Sequence, residues 1–334
     1  MKVQVPMWSH ASDSELQFYR EMGIRYVSVM FGKDDWDYDH VCRLQERMAG
    51  FDLEITDAGS FFVFKNPVIH LGMEGREQAI EQYNAFTRIM GQCKIPIVSL
   101  AWQPDGAVRS YRKIGQYTRG SVSGIVDMEE LAARKPSHGR VYGEEEIWEN
   151  FRYFLDWALP VCQETGVKMA LHPNDPPAVC VQGVPSLIYN TECFKKAFEM
   201  AENSPYLGMK LCVGCWLESG NAFGNLLEDI RYFVQSGKVL AVHFRNLSSP
   251  MPYFEEVLLE DGYADMYGIM KALVGSGYDG LISVDHASAG IPEFGGVAGA
   301  YGYSTGYMKG LLMAAEMEIG KNIKKRTGAI FGGK

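Results

Sequence analysis

KMALHPNDPPAVCVQGVPSLIYNTECFKKAFEMAENSPYLGMKLCVG, at residues 168–214, is the stretch that decides the fold. It opens with a short apolar run (168–173), passes through a segment with helical periodicity (191–202) and closes with a second apolar run (207–214). A strand, a crossover helix and a second strand form a unit in which the two strands run parallel. The stretch therefore predicts an α/β protein with a parallel sheet.

The same unit recurs along almost the whole chain. Apolar runs that predict strands occur at VQVPM (3–7), YVSVMF (26–31), LEITDAGS (53–60), IPIVSLAW (95–102), KMALHP (168–173), LGMKLCVG (207–214), VLAVHFRN (239–246) and LISVDHA (281–287). Eight such units predict a (β/α)8 TIM barrel rather than a doubly wound sheet. No G-x-G-x-x-G follows the first strand, which also disfavours a dinucleotide-binding fold. We expect a single barrel domain at residues 1–320 and a basic, glycine-rich tail at 321–334.

One connection is unusually long. Residues 103–142, between the fourth strand and its helix, form the longest irregular stretch and are rich in Arg, Tyr and Gly. A connection that leaves the carboxyl end of a strand lies on the catalytic face of a barrel. Loops of this length commonly act as lids or binding elements, so we predict a binding lid here.

Composition and charge disfavour several classes of partner. The 334-residue chain has a formal net charge of -9, 47% hydrophobic residues and 7 scattered cysteines. An acidic chain matches nucleic acid or an anionic membrane surface poorly, and no segment reads as a membrane span. Scattered cysteines are typical of a reducing compartment, and nothing resembles a cleavable signal. We therefore expect a cytoplasmic protein that acts on a small molecule.

Four side chains at predicted strand ends indicate a metal centre. His172, Cys212, His243 and Asp285 each end one of the last four strands. The carboxyl ends of barrel strands converge on one mouth, where active sites of this fold lie. Two imidazoles, a thiolate and a carboxylate suit Mn, Fe, Co, Ni or Zn better than Mg or Ca. Asp285 supports the interpretation further, because a buried carboxylate is costly without a metal or a cation beside it.

Taken singly, these residues have simpler explanations. His172 could be satisfied by a backbone carbonyl, and Cys212 could be a buried structural thiol. Cys212 and Cys215 also form a C-x-x-C pair, but this pair begins inside a strand and no thioredoxin-sized domain surrounds it. One metal site remains the preferred interpretation, because a single barrel mouth accounts for all four positions.

Six short motifs carry a resemblance to a known family. They are HPNDPP (172–177), LCVG (211–214), HFRN (243–246), ADMY (264–267), VDH (284–286) and GYS (302–304). Through them the chain resembles mannonate dehydratase of the hexuronate pathway, whose barrel is similar to that of xylose isomerase. The resemblance implies a hydro-lyase that converts D-mannonate to 2-keto-3-deoxygluconate. It also implies that the four residues above hold a divalent cation, usually manganese, that His286 and Tyr303 are catalytic, and that Arg245 belongs to the site.

Further residues are expected to contact the substrate. Arg245 lies on the same face of its strand as His243, and arginine matches a carboxylate in bidentate fashion. Trp102, at the end of the fourth strand, could stack on the apolar face of a sugar. The remaining candidates are Asn174 and three arginines of the long connection, Arg109, Arg112 and Arg119.

Two departures from the family pattern leave other functions open. Asn174 stands where the family usually has an acidic residue, and Ala287-Ser288 replace a glycine and a histidine. Both changes surround the substrate and leave the metal ligands intact. A metal-dependent sugar isomerase or epimerase on the same barrel is one alternative, and a non-catalytic barrel that binds a sugar acid is another. Barrels of this type commonly associate, so we expect a homo-oligomer.

Overall fold

Eight parallel strands close into a barrel. The computed structural model describes residues 1–287, 290 and 292–320, so the expectations for Ser288 and for the tail at 321–334 lie outside the described residues. The barrel strands are Lys2–Trp8, Tyr26–Met30, Glu54–Gly59, Ile97–Ala101, Lys168–His172, Leu207–Cys212, Val239–Phe244 and Leu281–Val284. The first strand pairs with both the second and the eighth, which completes the ring. The predicted TIM barrel is confirmed.

Helices pack around the outside of this ring. They are Asp13–Glu21, Tyr38–Ala49, Arg76–Gln92, Glu144–Thr165, Thr191–Met200, Leu226–Gln235, Met266–Gly275 and Gly296–Glu318. The hydroxyl of Ser12 accepts a hydrogen bond from the amide of Glu15 at 3.2 Å and so begins the first helix. Gly166 ends the fourth outer helix with a φ of 73°, a left-handed conformation that costs glycine little. The helices that the structure describes are all too short or too polar to span a lipid bilayer.

The long connection after the fourth barrel strand is not irregular throughout, which corrects that part of the expectation, while its role as a binding lid stays a prediction. It contains the strands Tyr111–Ile114 and Val122–Asp127 and the helix Met128–Ala132. Val122–Asp127 also pairs with Tyr253–Val257, from the connection after the seventh barrel strand. Together with Asn246–Leu247 these strands form a four-stranded antiparallel sheet, which we call the cap sheet. The sequence pattern does not reveal it because its strands are short and their partners lie far away in the chain.

Other connections contain short elements that the periodicity does not predict. They are the helices Phe61–Phe64, Pro67–His70 and Val213–Ser219, the 3-10 turns Gly220–Ala222 and Pro292–Phe294, and the paired strands Cys180–Val181 and Val184–Pro185. All of them follow the carboxyl ends of barrel strands. They therefore shape the mouth of the barrel, where a site of this fold lies.

A polar layer lies inside the barrel at the floor of the mouth. The carboxylate of Asp57 accepts hydrogen bonds from Gln4 at 3.0 Å and from Ser28 at 2.6 Å. The ammonium of Lys210 lies 3.5 Å from the same carboxylate and 3.2 Å from the hydroxyl of Ser99. A buried charge needs a partner of opposite charge, and here the carboxylate of Asp57 and the ammonium of Lys210 neutralise one another.

Candidate metal centre and active site

The last four barrel strands bring four potential metal ligands together. His172 and Cys212 end their strands, His243 precedes the last residue of its strand, and Asp285 directly follows the eighth strand. One ligand atom from each residue lies within 4.8 Å of all the others. The parallel pairing of Cys212 with His243 keeps these two side chains at one level of the barrel. The structure thus brings together the residues that the strand pattern singles out.

The donor atoms of this cluster fit a metal ion. Nδ1 of His243 is buried and makes no hydrogen bond within the described part of the chain, and Oδ1 of Asp285 lies 3.4 Å from it. The sulfur of Cys212 lies 3.6 Å from Oδ2 of Asp285. Nδ1 of His172 donates to the carbonyl of Pro173 at 2.6 Å, which leaves the Nε2 lone pair of that ring for a metal. Two nitrogens, one sulfur and one oxygen could hold a divalent transition-metal ion.

The surroundings of the cluster favour the protonation states that bind metals. Burial by itself raises the pKa of the Cys212 thiol, but hydrogen bonds with Cys215 and the two ligand histidines, and the charge of Arg245, lower that pKa well below its usual range. Burial lowers the pKa of His243 in spite of the neighbouring carboxylate. A thiolate and a neutral imidazole are the forms that coordinate metals.

Two arginines and three carboxylates form a buried cluster beside the four metal-ligand candidates, and we call it the arginine cluster. Arg109 donates to Asp175 at 2.5 Å and to Glu256 at 2.5 Å. Arg245 donates to Glu218 at 2.7 Å and to Glu256 at 2.9 Å. The five side chains are at most 5% exposed. Because both guanidinium groups are paired with carboxylates of the protein, a substrate carboxylate would have to compete with these internal partners, and the substrate clamp expected from the sequence stays a prediction.

Glu218 and Glu256 are members of this cluster that the sequence pattern did not identify. Glu218 comes from the short helix Val213–Ser219, and Glu256 comes from the cap sheet. The sequence does contain a signal for Glu256, since PYFEEVLL (252–259) places glutamates within an apolar run, where a buried charge needs a partner. Gly214 has its own role, because a Cβ atom there would lie 2.2 Å from Nε of Arg245. The absence of a side chain at Gly214 therefore leaves room for the guanidinium group of Arg245.

His286 connects the arginine cluster to the metal centre. Its Nδ1 donates to Oε1 of Glu256 at 2.5 Å, and its Nε2 lies 3.5 Å from Oδ1 of Asp285. Burial lowers the pKa of His286, but the carboxylates of Asp285 and Glu256 raise it overall above its ordinary value. The residue has a φ of 41°, which is uncommon outside glycine, so its surroundings hold the backbone in place. With Nδ1 committed to Glu256, Nε2 remains for chemistry.

A cavity of about 870 Å³ opens above these groups. Its wall includes three of the metal-ligand candidates together with the side chains of Lys65, His286 and Tyr301. Cys212, the fourth candidate, is fully buried beneath the wall. Small-molecule sites commonly have volumes of roughly 300–1,000 Å³, so this cavity is large enough for a six-carbon sugar acid and ordered water.

The structure places Tyr303 outside this cavity, which corrects its expected position. Its side chain is 52% exposed, and its hydroxyl donates to Glu260 at 2.5 Å. Tyr301 is the tyrosine of the same helix that lines the cavity. Two residues along an α-helix differ by roughly 200° in direction, so the two phenols point to different sides. The sequence motif did not fix the rotation of the helix, which turns Tyr301 and not Tyr303 towards the cavity.

Three expected substrate contacts also lie elsewhere. Trp102 is only 2% exposed, and its ring packs against His70 with centroids 4.3 Å apart. The amide of Asn174 donates to the carbonyl of Trp102 at 3.2 Å and accepts a backbone N–H at 2.9 Å. Arg119 donates to Asp261 at 2.5 Å on the surface. Packing and internal hydrogen bonds thus occupy these side chains, and none of the three lines the cavity.

The amino-acid sequence is similar to proteins of one family. The sequence model of the family described as D-mannonate dehydratase (UxuA) matches residues 127–322. Mannonate dehydratase from Thermotoga neapolitana is 28% identical over 292 residues, which cover 75% of this chain and 78% of the relative. Mannonate dehydratase from Brachyspira hyodysenteriae is 28% identical over 329 residues, covering 86% of this chain and 89% of the relative.

Solved structures show the same similarity. The crystal structure of mannonate dehydratase from Streptococcus suis serotype 2 matches with a TM-score of 0.83 and 25% identity, covering 96% of both chains. A structure of L-ribulose 3-epimerase matches with a TM-score of 0.61 and 14% identity, covering 94% of this chain and 96% of the other. The second match shows that the fold is shared and carries no information on the reaction.

Proposed function

This chain belongs to the D-mannonate dehydratase family, and from that premise we propose that it removes water from D-mannonate or a closely related aldonate to give a 2-keto-3-deoxy acid. The observation that carries the proposal is the convergence of His172, Cys212, His243 and Asp285 next to His286 at one cavity. Such a hydro-lyase must stabilise the charge that develops when the proton beside the carboxylate is removed, and it must protonate the departing hydroxyl. The side chains around this cavity suit both tasks.

We assign the four converging residues to one divalent cation. Two features support a transition metal: Nδ1 of His243 has no hydrogen bond to any residue that the structure describes, and the donors are a mixture of nitrogen, sulfur and oxygen. Manganese is our first choice because of the family resemblance, with Fe²⁺, Co²⁺, Ni²⁺ and Zn²⁺ as the other candidates. When bound, such an ion supplies Lewis acidity to the carboxylate and adjacent hydroxyl of a sugar acid.

We assign one proton transfer to Nε2 of His286. The opposite nitrogen of the ring donates to Glu256, which fixes the tautomer and the orientation of the imidazole. Arg245 holds the same Glu256 oxygen at 2.9 Å and acts on the reaction through it, so Arg245 is a positioning residue. A ring fixed in this way can exchange a proton with a substrate in the cavity without reorienting.

We assign the second proton transfer to Tyr301 in place of Tyr303. Tyr301 lines the cavity together with Asp285 and His286, whereas the hydroxyl of Tyr303 bonds to Glu260 on the surface. Burial, and then the charge of Asp285, raise the pKa of Tyr301, so its phenol carries its proton at neutral pH. The two groups form a pair in which one accepts the proton beside the carboxylate and the other protonates the departing hydroxyl.

Incubation of the manganese-loaded protein with D-mannonate in deuterated water tests the proposal. We expect a 2-keto-3-deoxy acid to accumulate, with turnover that disappears on chelation and returns when manganese is added. Turnover by metal-free protein would contradict the metal-dependent mechanism. Exchange of a carbon-bound proton without loss of water would identify an isomerase or epimerase, and tight binding without any reaction would identify a non-catalytic barrel.

A further inference from the structure

Besides the proposed metal ion, a cationic side chain in the cavity would stabilise the anionic group of a sugar acid, and two arginines and a lysine near the four metal-ligand candidates are already paired with carboxylates. Arg109 and Arg245 are neutralised within the arginine cluster. Lys210, at the floor, is held by Ser99 at 3.2 Å and by Asp57 at 3.5 Å. A substrate carboxylate would have to compete with internal carboxylates for any of these three groups.

Lys65 is different. It lies between the short helices Phe61–Phe64 and Pro67–His70, and its side chain forms part of the cavity wall. Within the described residues, its ammonium has no hydrogen bond or ion pair. It faces the rings of Phe61 and Phe64, at 5.1 Å and 5.8 Å from their centroids. Aromatic faces stabilise a cation without neutralising its charge, so Lys65 keeps its capacity to bind an anion.

Lys65 lines the same cavity as three of the metal-ligand candidates, His172, His243 and Asp285. Burial lowers the pKa of Lys65, while the carboxylates of Asp175 and Asp285 raise it in part. Asp285 is one of the metal-ligand candidates, and it lies in the wall of the same cavity as Lys65. A partly buried cation that shares a cavity with these ligand candidates is suited to hold an anion bound between them.

Arg112 also lines the cavity but is a weaker candidate. It lies on Tyr111–Ile114, an edge strand of the cap sheet whose residues are all exposed. Water and salt screen the charge of an exposed side chain, so its contribution to binding an anion is small. Burial distinguishes Lys65 from this arginine.

We propose that Lys65 binds the anionic group of the substrate and thereby selects sugar acids over neutral sugars. The inference rests on the proposed function, because it takes the substrate to be a sugar acid bound at the metal centre. No bond is made or broken by the lysine. It forms a charge-assisted hydrogen bond with the carboxylate in the bound substrate and keeps it through the transition state, so its loss acts mainly on substrate affinity.

The substitution Lys65→Met tests this role, because methionine keeps most of the apolar stem and removes the charge. We expect the KM for D-mannonate to rise by about 10- to 100-fold, the range for one lost charged hydrogen bond, with metal content unchanged. The variant Lys65→Arg should recover part of the affinity. The control Lys135→Met removes an exposed lysine that does not line the cavity, and should leave KM at the wild-type value.

A neutral ligand separates binding of charge from a structural role. D-mannonamide has the same carbon chain and hydroxyl groups as D-mannonate but no carboxylate. Wild-type protein should bind the acid more tightly than the amide, and Lys65→Met should reduce that preference by about 10- to 100-fold while its affinity for the amide stays unchanged. A wild-type KM for D-mannonate in Lys65→Met, or equal losses of affinity for both ligands, would overturn the proposal.

Direct calorimetric titration of the manganese-loaded protein distinguishes this inference from the proposed function. If the wild type binds D-mannonate in a Lys65-dependent manner but does not dehydrate it, the inference is supported and the proposed function is contradicted. If the wild type dehydrates D-mannonate and its affinity does not depend on Lys65, the proposed function is supported and the inference is overturned.

Discussion

Nδ1 of His286 lies 2.5 Å from Oε1 of Glu256, although the two residues come from different layers of the fold. Glu256 belongs to the cap sheet, whereas His286 follows the eighth barrel strand by two residues. The same carboxylate oxygen accepts hydrogen bonds from Arg109 at 2.5 Å and from Arg245 at 2.9 Å. The cap sheet thus determines the orientation of the imidazole that faces the metal centre.

The substitution Glu256→Gln tests this relationship. An amide in place of the carboxylate weakens the hold on Nδ1 of His286, so we expect kcat to fall by about 10- to 100-fold while the bound metal is retained. Steady-state kinetics and elemental analysis of the same preparation provide the measurement. Glu260→Gln is the matched control, because Glu260 accepts from Tyr303 outside the cavity and should be dispensable for turnover. An unchanged kcat in Glu256→Gln would show that His286 needs no such support.

Loss of metal should follow from changes to the converging ligands. We expect Cys212→Ser and Asp285→Asn to bind substoichiometric manganese after dialysis, because each removes one of four donors within 4.8 Å of one another. In the wild type, manganese at 100 times its Kd should raise the free energy of unfolding by about 2.7 kcal/mol, and the variants should show less of this effect. Cys180→Ser changes an exposed thiol and should retain the full response. Equal stabilisation in all four proteins would place the metal elsewhere.

The two tyrosines of the last helix should differ in their importance. Tyr301→Phe removes the phenol that lines the cavity, and we expect kcat to fall by about 10²- to 10⁴-fold, the usual contribution of a positioned acid or base. Tyr303→Phe removes a surface hydroxyl that bonds to Glu260, and should leave kcat within about twofold of the wild type, as for most surface substitutions. The reverse result would mean that this helix rotates when the substrate binds.

Acid sensitivity should arise in part from His70, which is 1% exposed and packs against Trp102. Burial, and then the charge of Lys65, lower the pKa of His70 to about 3. The unfolded chain takes up this proton below about pH 6.5, so the folded state loses stability as pH falls from 6.5 towards 3. Between pH 7 and pH 5 the loss from this residue is about 2 kcal/mol.

Urea unfolding at these two pH values provides the measurement. The variant His70→Gln cannot titrate and should lose about 2 kcal/mol less than the wild type over this interval, whatever its absolute stability. His10→Gln, which changes an exposed histidine, should follow the wild type. If His70→Gln loses as much stability as the wild type, His70 does not resist protonation in the folded protein.

Local periodicity accounts for what the sequence could predict. Each barrel strand is a short apolar run, and its last residues must lie at the mouth whatever the loops do. His172, Cys212, His243 and Asp285 could therefore be grouped before any coordinates were known. Their proximity depends on strand direction, which follows from the repeating pattern, and on strand register, which includes an irregularity between Met209 and Lys210.

Non-local partners account for what the sequence could not predict. Glu256 accepts hydrogen bonds from two arginines only because the cap sheet pairs Val122–Asp127 with Tyr253–Val257. No short-range sequence pattern encodes that pairing. Arg109 has the appearance of a substrate clamp in the sequence because its neutralising carboxylates come from three separate connections. The position of Tyr301 in the cavity wall, with Tyr303 outside it, has a different cause, since the rotation of a helix is fixed by how it packs on the barrel.

The cap sheet has a consequence for redesign of this scaffold. Two of its strands come from the connection after the fourth barrel strand, and the other two come from the connection after the seventh. Replacing only one of these connections with that of a relative would break the pairing between the two halves of the sheet and leave an open sheet edge. It would also leave either Arg109 or Glu256 without the other as its ion-pair partner. Loop exchange meant to alter specificity should therefore transplant both connections as a single cassette.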